Sequence, residues 1–200
     1  MALPKEKFEK IKSKIQKFID HEMVANENDL SFNHKFADHL SFLEEKRNMV
    51  RDMGLFAPQI PKEHGGLGLS LHQLGQIYEV LGKTFYGLYV FNCQAPDAGN
   101  MEILIEHGTD YQKETFLKPL VEGKVRSCFS MTEPEFAGSN PVIMGTTAIK
   151  DGSNYVINGH KWFTSSADGA DFAIVMVITC LLYTSPSPRD TILSRMPSSA

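Results

Sequence analysis

Gly123-Lys-Val-Arg-Ser-Cys-Phe-Ser-Met-Thr-Glu-Pro-Glu-Phe-Ala-Gly-Ser-Asn-Pro141 is where the hydrophobic period of this chain changes. Upstream, apolar residues recur every three or four positions, the spacing of one helix face. From Val125 to Met131 the chain turns short-period and rich in β-branched and aromatic residues, as in a strand. Pro134 breaks that strand into a loop of small residues. The reading that follows is α+β: an all-α helical domain over residues 1–124, then the first part of a β domain over 125–179.

Working back from Gly123, several helices are expected. Phe8, Ile11, Ile15, Phe18 and Ile19 form one stripe, with Lys5, Lys7, Lys10, Lys12, Lys14 and Lys17 as a solvated face. Phe36, Leu40, Leu43, Val50 and Met53 mark a second helix that Gly54 ends. Ser70 and Gln73 make a capping box before Leu71, Leu74, Ile77, Tyr78 and Leu81. Asp97 is read as the cap of a helix carrying Met101, Leu104 and Ile105, and Asp110 as the cap of one carrying Phe116, Leu117 and Leu120.

Working forward, strands are expected at residues 144–150, 155–157, 161–164 and 172–178, with Asp151-Gly152 as a tight turn. After Thr179 the pattern fails. Residues 180–200 run through Ser-Pro-Ser-Pro-Arg-Asp and end in Ser-Arg-Met-Pro-Ser-Ser-Ala. They resemble translated adapter sequence, so they are read as a non-native, disordered tail outside the fold.

Composition narrows the function classes. The net charge of −4, with both signs interspersed, argues against a nucleic-acid binder, which needs a basic face. No stretch approaches the roughly 20 apolar residues of a membrane span, and residues 1–20 lack the unbroken apolar run of a signal peptide. Cys93, Cys128 and Cys180 show no metal-ligand spacing, which fits reduced thiols in a cytosol-like compartment and no metal site.

Three segments could carry chemistry. Gly65-Gly-Leu-Gly68 precedes a helix but has no preceding strand and no Lys-Ser/Thr pair, so a surface loop with left-handed turns outweighs a phosphate cradle. In Phe129–Pro141, Thr132, Gly138 and Ser139 offer hydroxyls and accessible amides. The same residues suit a plain turn in which Ser139 and Asn140 bond their own backbone. In Asn158-Gly-His-Lys-Trp-Phe-Thr-Ser-Ser166, Trp162 is the chain's single tryptophan. Alone it would close one end of a β domain; beside an aromatic cofactor it could stack on the ring.

Taken together, Met131-Thr-Glu-Pro134, Ala137-Gly-Ser139 and Asn158-Gly-His-Lys-Trp-Phe-Thr164 are similar to the pattern of the acyl-CoA dehydrogenase family. Asn92–Glu102 and Gly108–Lys113 resemble the branch that includes the eukaryotic members 10 and 11 and many bacterial relatives. The resemblance implies a helical domain, a β-barrel middle domain and a C-terminal four-helix domain that this chain lacks. It implies FAD as cofactor and an acyl-CoA substrate that gains an α,β double bond, as in fatty-acid oxidation. Phe129, Met131, Thr132, Gly138, Ser139, Trp162, Phe163 and Thr164 would face the flavin. Thr132 would bond the pyrimidine edge, Trp162 would cover the ring and Thr164 would bond near N5. Ser139 would reach the diphosphate or the acyl-CoA.

No catalytic residue is assigned, because the family's carboxylate base belongs to the missing C-terminal domain; Glu133 matches no base position. The chain departs from the commoner pattern in Asn140, where many members have Asp, and in the extra residue of Glu135-Phe136. The resemblance further implies an electron-transfer flavoprotein or similar acceptor and a homodimer or homotetramer at full length. The expected compartment is the cytoplasm of a bacterial-type source, or the mitochondrial matrix or peroxisome of a eukaryote. An oxidase of the same fold and a non-catalytic scaffold are the alternatives; an intact Thr132, Trp162 and Thr164 set weighs against the scaffold.

Overall fold

The computed structural model describes residues 3–30, 35–138 and 140–179. Of the expectations above, Ser139 and the tail at 180–200 lie outside the described residues. The described chain divides into two units, one running to Cys128 and including Ser166–Ala173, the other formed by Phe129–Ser165 and residues 174–179.

The first unit is helical. Helix α1 (Lys5–Phe18) buries Phe8, Ile15 and Phe18 and continues through a π-helical turn at Ile19–Met23. Its lysines point outward, and only Lys12 is half-buried, donating to Gln76 at 3.1 Å. Helix α2 (Phe36–Asp52) buries Leu43 and Val50, but Leu40 is exposed, off the stripe expected to hold it. Gly54 follows with φ +67°, the left-handed conformation that ends a helix at least cost in glycine.

Helix α3 (Leu71–Leu81) opens on the expected capping box: Ser70 Oγ accepts from Gln73 N, and Gln73 Oε1 accepts from Ser70 N. Gln73 is buried and also exchanges two hydrogen bonds with the backbone of Leu3, at 2.8 and 3.1 Å. Leu71, named with the apolar residues of this helix, is exposed, because it occupies the first helical position beside the cap. Gly65 and Gly68 have φ +92° and +61°, so the glycine run is a loop of left-handed turns.

Helices α4 (Gly87–Val90), α5 (Asp97–His107), α6 (Asp110–Gln112) and α7 (Lys118–Val121) complete the unit. Two expected caps are corrected. Asp97 is the first helical residue, not the cap, and Thr109 rather than Asp110 accepts from Gln112 N at the next helix. A threonine hydroxyl can fold back on its own helix start, and Thr109 is one residue earlier than the acid that drew the reading.

The apolar stripes meet in one cluster: Phe8, Ile15, Phe18, Ile19 and Met23 with Leu43, Val50, Ile77, Leu81, Val90 and Phe91. Phe18 and Phe91 pack edge to face, centroids 5.6 Å apart. Within this unit Arg47 is almost wholly buried. Its guanidinium donates to Tyr89 O (2.6 Å) and Gly123 O (3.2 Å) and lies over the rings of Tyr89 and Phe56. Burial pulls its pKa below the ordinary arginine value, yet arginine stays charged at any ordinary pH.

The strands are β1 (Ser127–Ser130), β2 (Thr147–Asp151), β3 (Asn154–Asn158) and β4 (Phe172–Val175). They form two two-stranded sheets, β1 with β4 and β2 with β3. The β2–β3 hairpin is antiparallel with Asp151 opposite Asn154, so Gly152 and Ser153 are its two-residue loop, and Gly152 has φ +60°. The strand expected at 161–164 does not form: Phe163 takes a left-handed φ of +49°, which no extended run tolerates.

Replacing Arg47 by alanine should destabilise the chain by roughly 2–4 kcal/mol, since an almost wholly buried guanidinium loses its packing over Phe56 and Tyr89 together with its bonds to the Tyr89 and Gly123 carbonyls. Arg51→Ala, at a half-exposed ion pair with Glu44, should cost about 1 kcal/mol or less. Urea titration of the variants checks the contrast.

Candidate functional site

The expected site residues that are described fall in the second unit, on two segments: the end of β1 with its loop, and residues 158–164. Thr132 and Trp162 bond each other twice. Trp162 N donates to Thr132 O at 3.1 Å, and Thr132 Oγ1 donates to Trp162 O at 2.7 Å. This leaves the Thr132 hydroxyl oxygen only an accepting role toward a ligand.

Trp162 and Phe163 stand beside each other, centroids 4.7 Å apart and tilted by 48°. They are 43% and 81% exposed, so each ring has a free face in this unit. Thr164 Oγ1 lies 3.3 Å from Ser130 Oγ. Ser130 is buried on β1, and its carbonyl accepts from Met176 N at 2.9 Å. Phe129 and Met131 are half-buried. Gly138 packs on Thr132: a Cβ there would come within 2.7 Å of Thr132 Cγ2. Asn140 Oδ1 accepts from Val142 N, the local turn bond that the plain-turn reading expected.

Beneath these groups lies a cluster that the sequence did not announce. Glu133 is 3% exposed. Its carboxylate accepts from Thr146 N (2.9 Å), from Lys161 Nζ (2.8 Å), and through short bonds from Gly145 N and Thr146 Oγ1. Lys161 Nζ donates in addition to Met131 O at 2.8 Å. Burial alone would raise the Glu133 pKa, but the bonds from Lys161, Thr146 and Gly145 outweigh it and hold the carboxyl at about 2.

Gly159 lies against Thr146, and a Cβ at 159 would come within 2.6 Å of Thr146 Cα. Glycine therefore leaves room for the Thr146 hydroxyl to turn to Glu133. Ser130, Thr146 and Lys161 were missed as site residues because no spacing signals them. Lys161 meets Glu133 across 28 residues, and only the folded chain brings them together.

The helical unit explains the Asn92–Glu102 motif without a ligand. Asn92 Nδ2 donates to Leu120 O and Val121 O. Asp97 accepts from Ser127 N and Ser127 Oγ, and Asn100 donates to Ser127 Oγ and Cys128 O. The motif thus fixes where the first strand begins.

With this geometry in view, the family assignment is direct. Residues 5–124 match the family model "Acyl-CoA dehydrogenase, N-terminal domain", and residues 128–191 match "Acyl-CoA dehydrogenase, middle domain". The chain belongs to the acyl-CoA dehydrogenase family. It is 37% identical over 164 residues to acyl-CoA dehydrogenase family member 10 of Mus musculus, covering 78% of this chain and 15% of that protein. To the probable acyl-CoA dehydrogenase FadE2 of Mycobacterium tuberculosis (strain ATCC 25618 / H37Rv) it is 39% identical over 148 residues, covering 71% of this chain and 35% of the relative. Among solved structures, that of a putative acyl-CoA dehydrogenase from Mycobacterium abscessus superposes with a TM-score of 0.78 at 32% identity, covering 88% of this chain and 47% of that one. The chain therefore spans less than half the length of each of these relatives. The middle-domain match ends at residue 191, within the segment read as a tail. Among the described residues no helix is long and apolar enough to cross a membrane, and no group of His, Cys, Asp or Glu could hold a metal ion.

The depressed Glu133 pKa has a signed consequence. Its folded value of about 2 lies below the ordinary 4.5. The stabilisation is therefore fully present above about pH 4.5 and is lost as pH falls toward 2. Glu133→Gln should cost roughly 3 kcal/mol near neutral pH, and the gap to the unsubstituted chain should shrink between pH 4.5 and 2. Urea melts across that range check it.

Proposed function

We propose that this chain is the N-terminal and partial middle portion of an FAD-dependent enzyme that introduces an α,β double bond into acyl-CoA thioesters, in the manner of fatty-acid oxidation. The observation that carries the reading is the doubly bonded Thr132–Trp162 pair, which presents a hydroxyl acceptor and an open indole face from one rigid unit. An acceptor suits the N–H of a pyrimidine edge, and an aromatic face suits a planar ring. The donor set thus fits the flavin that the family resemblance implies.

In this reading the bound flavin supplies the hydride acceptor. Thr132 takes a hydrogen bond from the pyrimidine edge, Trp162 covers the ring, and Thr164 bonds near N5 with Ser130 behind it. Phe129, Met131, Gly138 and Phe163 would face the same ring. By the family resemblance, Ser139 would reach the diphosphate or the acyl-CoA. The base that removes the α proton comes from outside this chain. Glu133 cannot serve, because it is buried, holds four hydrogen bonds and stays ionised down to about pH 2, so it has little tendency to take a proton. Electrons pass on to an electron-transfer flavoprotein or a similar acceptor. The full-length protein is a homodimer or homotetramer, in a bacterial cytoplasm or in the mitochondrial matrix or peroxisome of a eukaryote. Domain boundaries near residues 124 and 179, and a non-native Ser/Pro-rich end, belong to the same proposal.

In the full-length parent, Trp162→Ala should loosen FAD more than Trp162→Phe, by a stacking contribution on the order of 1 kcal/mol beyond lost burial. Equal flavin occupancy in the two variants would count against a stacking role. The 200-residue chain, supplied with FAD and a range of acyl-CoA thioesters, should not reduce an artificial electron acceptor, since a general base contributes 10²–10⁴-fold. Turnover above the enzyme-free rate would mean that one of its own carboxylates is the base.

A further inference from the structure

Four hydrogen bonds join residues 131–133 to residues 161–162. Lys161 Nζ reaches Met131 O and Glu133 Oε1, Trp162 N reaches Thr132 O, and Thr132 Oγ1 reaches Trp162 O. Glu133 follows Thr132 in sequence, and Lys161 precedes Trp162. The ion pair therefore sits one residue from the pair that faces the ligand, on both segments at once.

Both charges are buried: the Glu133 and Lys161 side chains are 2% and 10% exposed. A slip of either segment by one residue would leave a carboxylate or an ammonium in the interior without its partner, a far larger penalty than a lost neutral contact. We propose that the Glu133–Lys161 pair is the positioning unit of this site, locking the register of its two segments so that Thr132, Trp162 and Thr164 hold one geometry for the flavin ring. Thr146 and Gly145 complete it from the approach to β2, and Gly159 makes room for Thr146. The inference rests on the flavin reading for what is positioned, but the lock itself is a property of this chain.

A hydrophobic pair of similar volume can match a buried ion pair in stability but carries no directional bond to fix a register. That difference makes the role testable. The variants are Lys161→Met, Glu133→Gln and the double change Glu133→Leu with Lys161→Met, with Lys161→Arg as the conservative control. Each is made in the full-length parent and in the 200-residue chain. In the parent the readouts are the thermal midpoint, FAD dissociation and the absorption spectrum of bound flavin. In the 200-residue chain, where Trp162 is the only tryptophan, the readout is acrylamide quenching of its fluorescence without flavin.

The double variant should recover part of the thermal midpoint lost in the single variants, since Gly145 N and Thr146 N still lose their acceptor, and should release FAD roughly tenfold faster and broaden the flavin spectrum. In the flavin-free chain its Trp162 should quench measurably more than in the unsubstituted chain. Lys161→Arg should keep the unsubstituted spectrum and quenching. A double variant that matches the unsubstituted protein in FAD release, spectrum and quenching overturns the positioning role and leaves the pair as a stability contact. Should the unsubstituted parent bind no FAD, the flavin reading fails by itself, and the quenching comparison still decides whether the pair holds Trp162 in place. Single and double variants that all fail to fold, while Lys161→Arg folds, would equally overturn it, since the pair would then be needed for the fold as a whole.

Discussion

A carboxylate cannot lose its water without receiving other donors, and in the second unit that requirement falls on Glu133. Its donors come from residues 145–146 and from Lys161, so satisfying one side chain draws three stretches of chain together. The cost of an unpaired buried charge is what makes this arrangement selective. Thr132 and Trp162, adjacent to the two partners of the ion pair, are carried into contact by it. Phe163 is then held in a left-handed conformation between two anchored neighbours, since Trp162 bonds Thr132 and Thr164 lies by Ser130. Strain of that kind persists only where the surroundings over-determine it.

The helical unit solves the same problem with the opposite charge. Arg47 enters the interior between two aromatic rings and donates to the carbonyls of Tyr89 and Gly123, near the ends of helical segments. Asn92 does likewise for Leu120 and Val121, in a left-handed φ of +56° that asparagine tolerates better than most residues. Asp97 and Asn100 then take up the polar groups of Ser127 and Cys128. The apolar stripes supply the bulk of the burial, and these few polar side chains decide where each segment starts and stops.

The β2–β3 hairpin has no such enclosure. Ile149, Tyr155, Val156 and Ile157 are all exposed, and every residue of β3 lies open. A two-stranded ribbon is marginal by itself in water.

Local sequence by itself determined the helices, because 3.6-residue periodicity and cap chemistry are short-range signals. The stripe of α1, the Ser70–Gln73 box, the stop at Gly54 and the Asp151-Gly152 turn all needed only near neighbours. The residues proposed to face a flavin were legible only through family resemblance; composition left the Phe129–Pro141 loop balanced between a site and a turn. Where propensity misled, a longer-range contact had decided. Asp97 left its expected cap to serve Ser127, 30 residues away, and residues 161–164 gave up an extended run to meet β1 and its loop. The Glu133–Lys161 pair belonged wholly to the tertiary structure. In the sequence it is one glutamate and one lysine among 44 charged residues, and nothing near either names its partner. Only removal from water makes such a pairing obligatory, and which groups lose their water is settled by the fold as a whole.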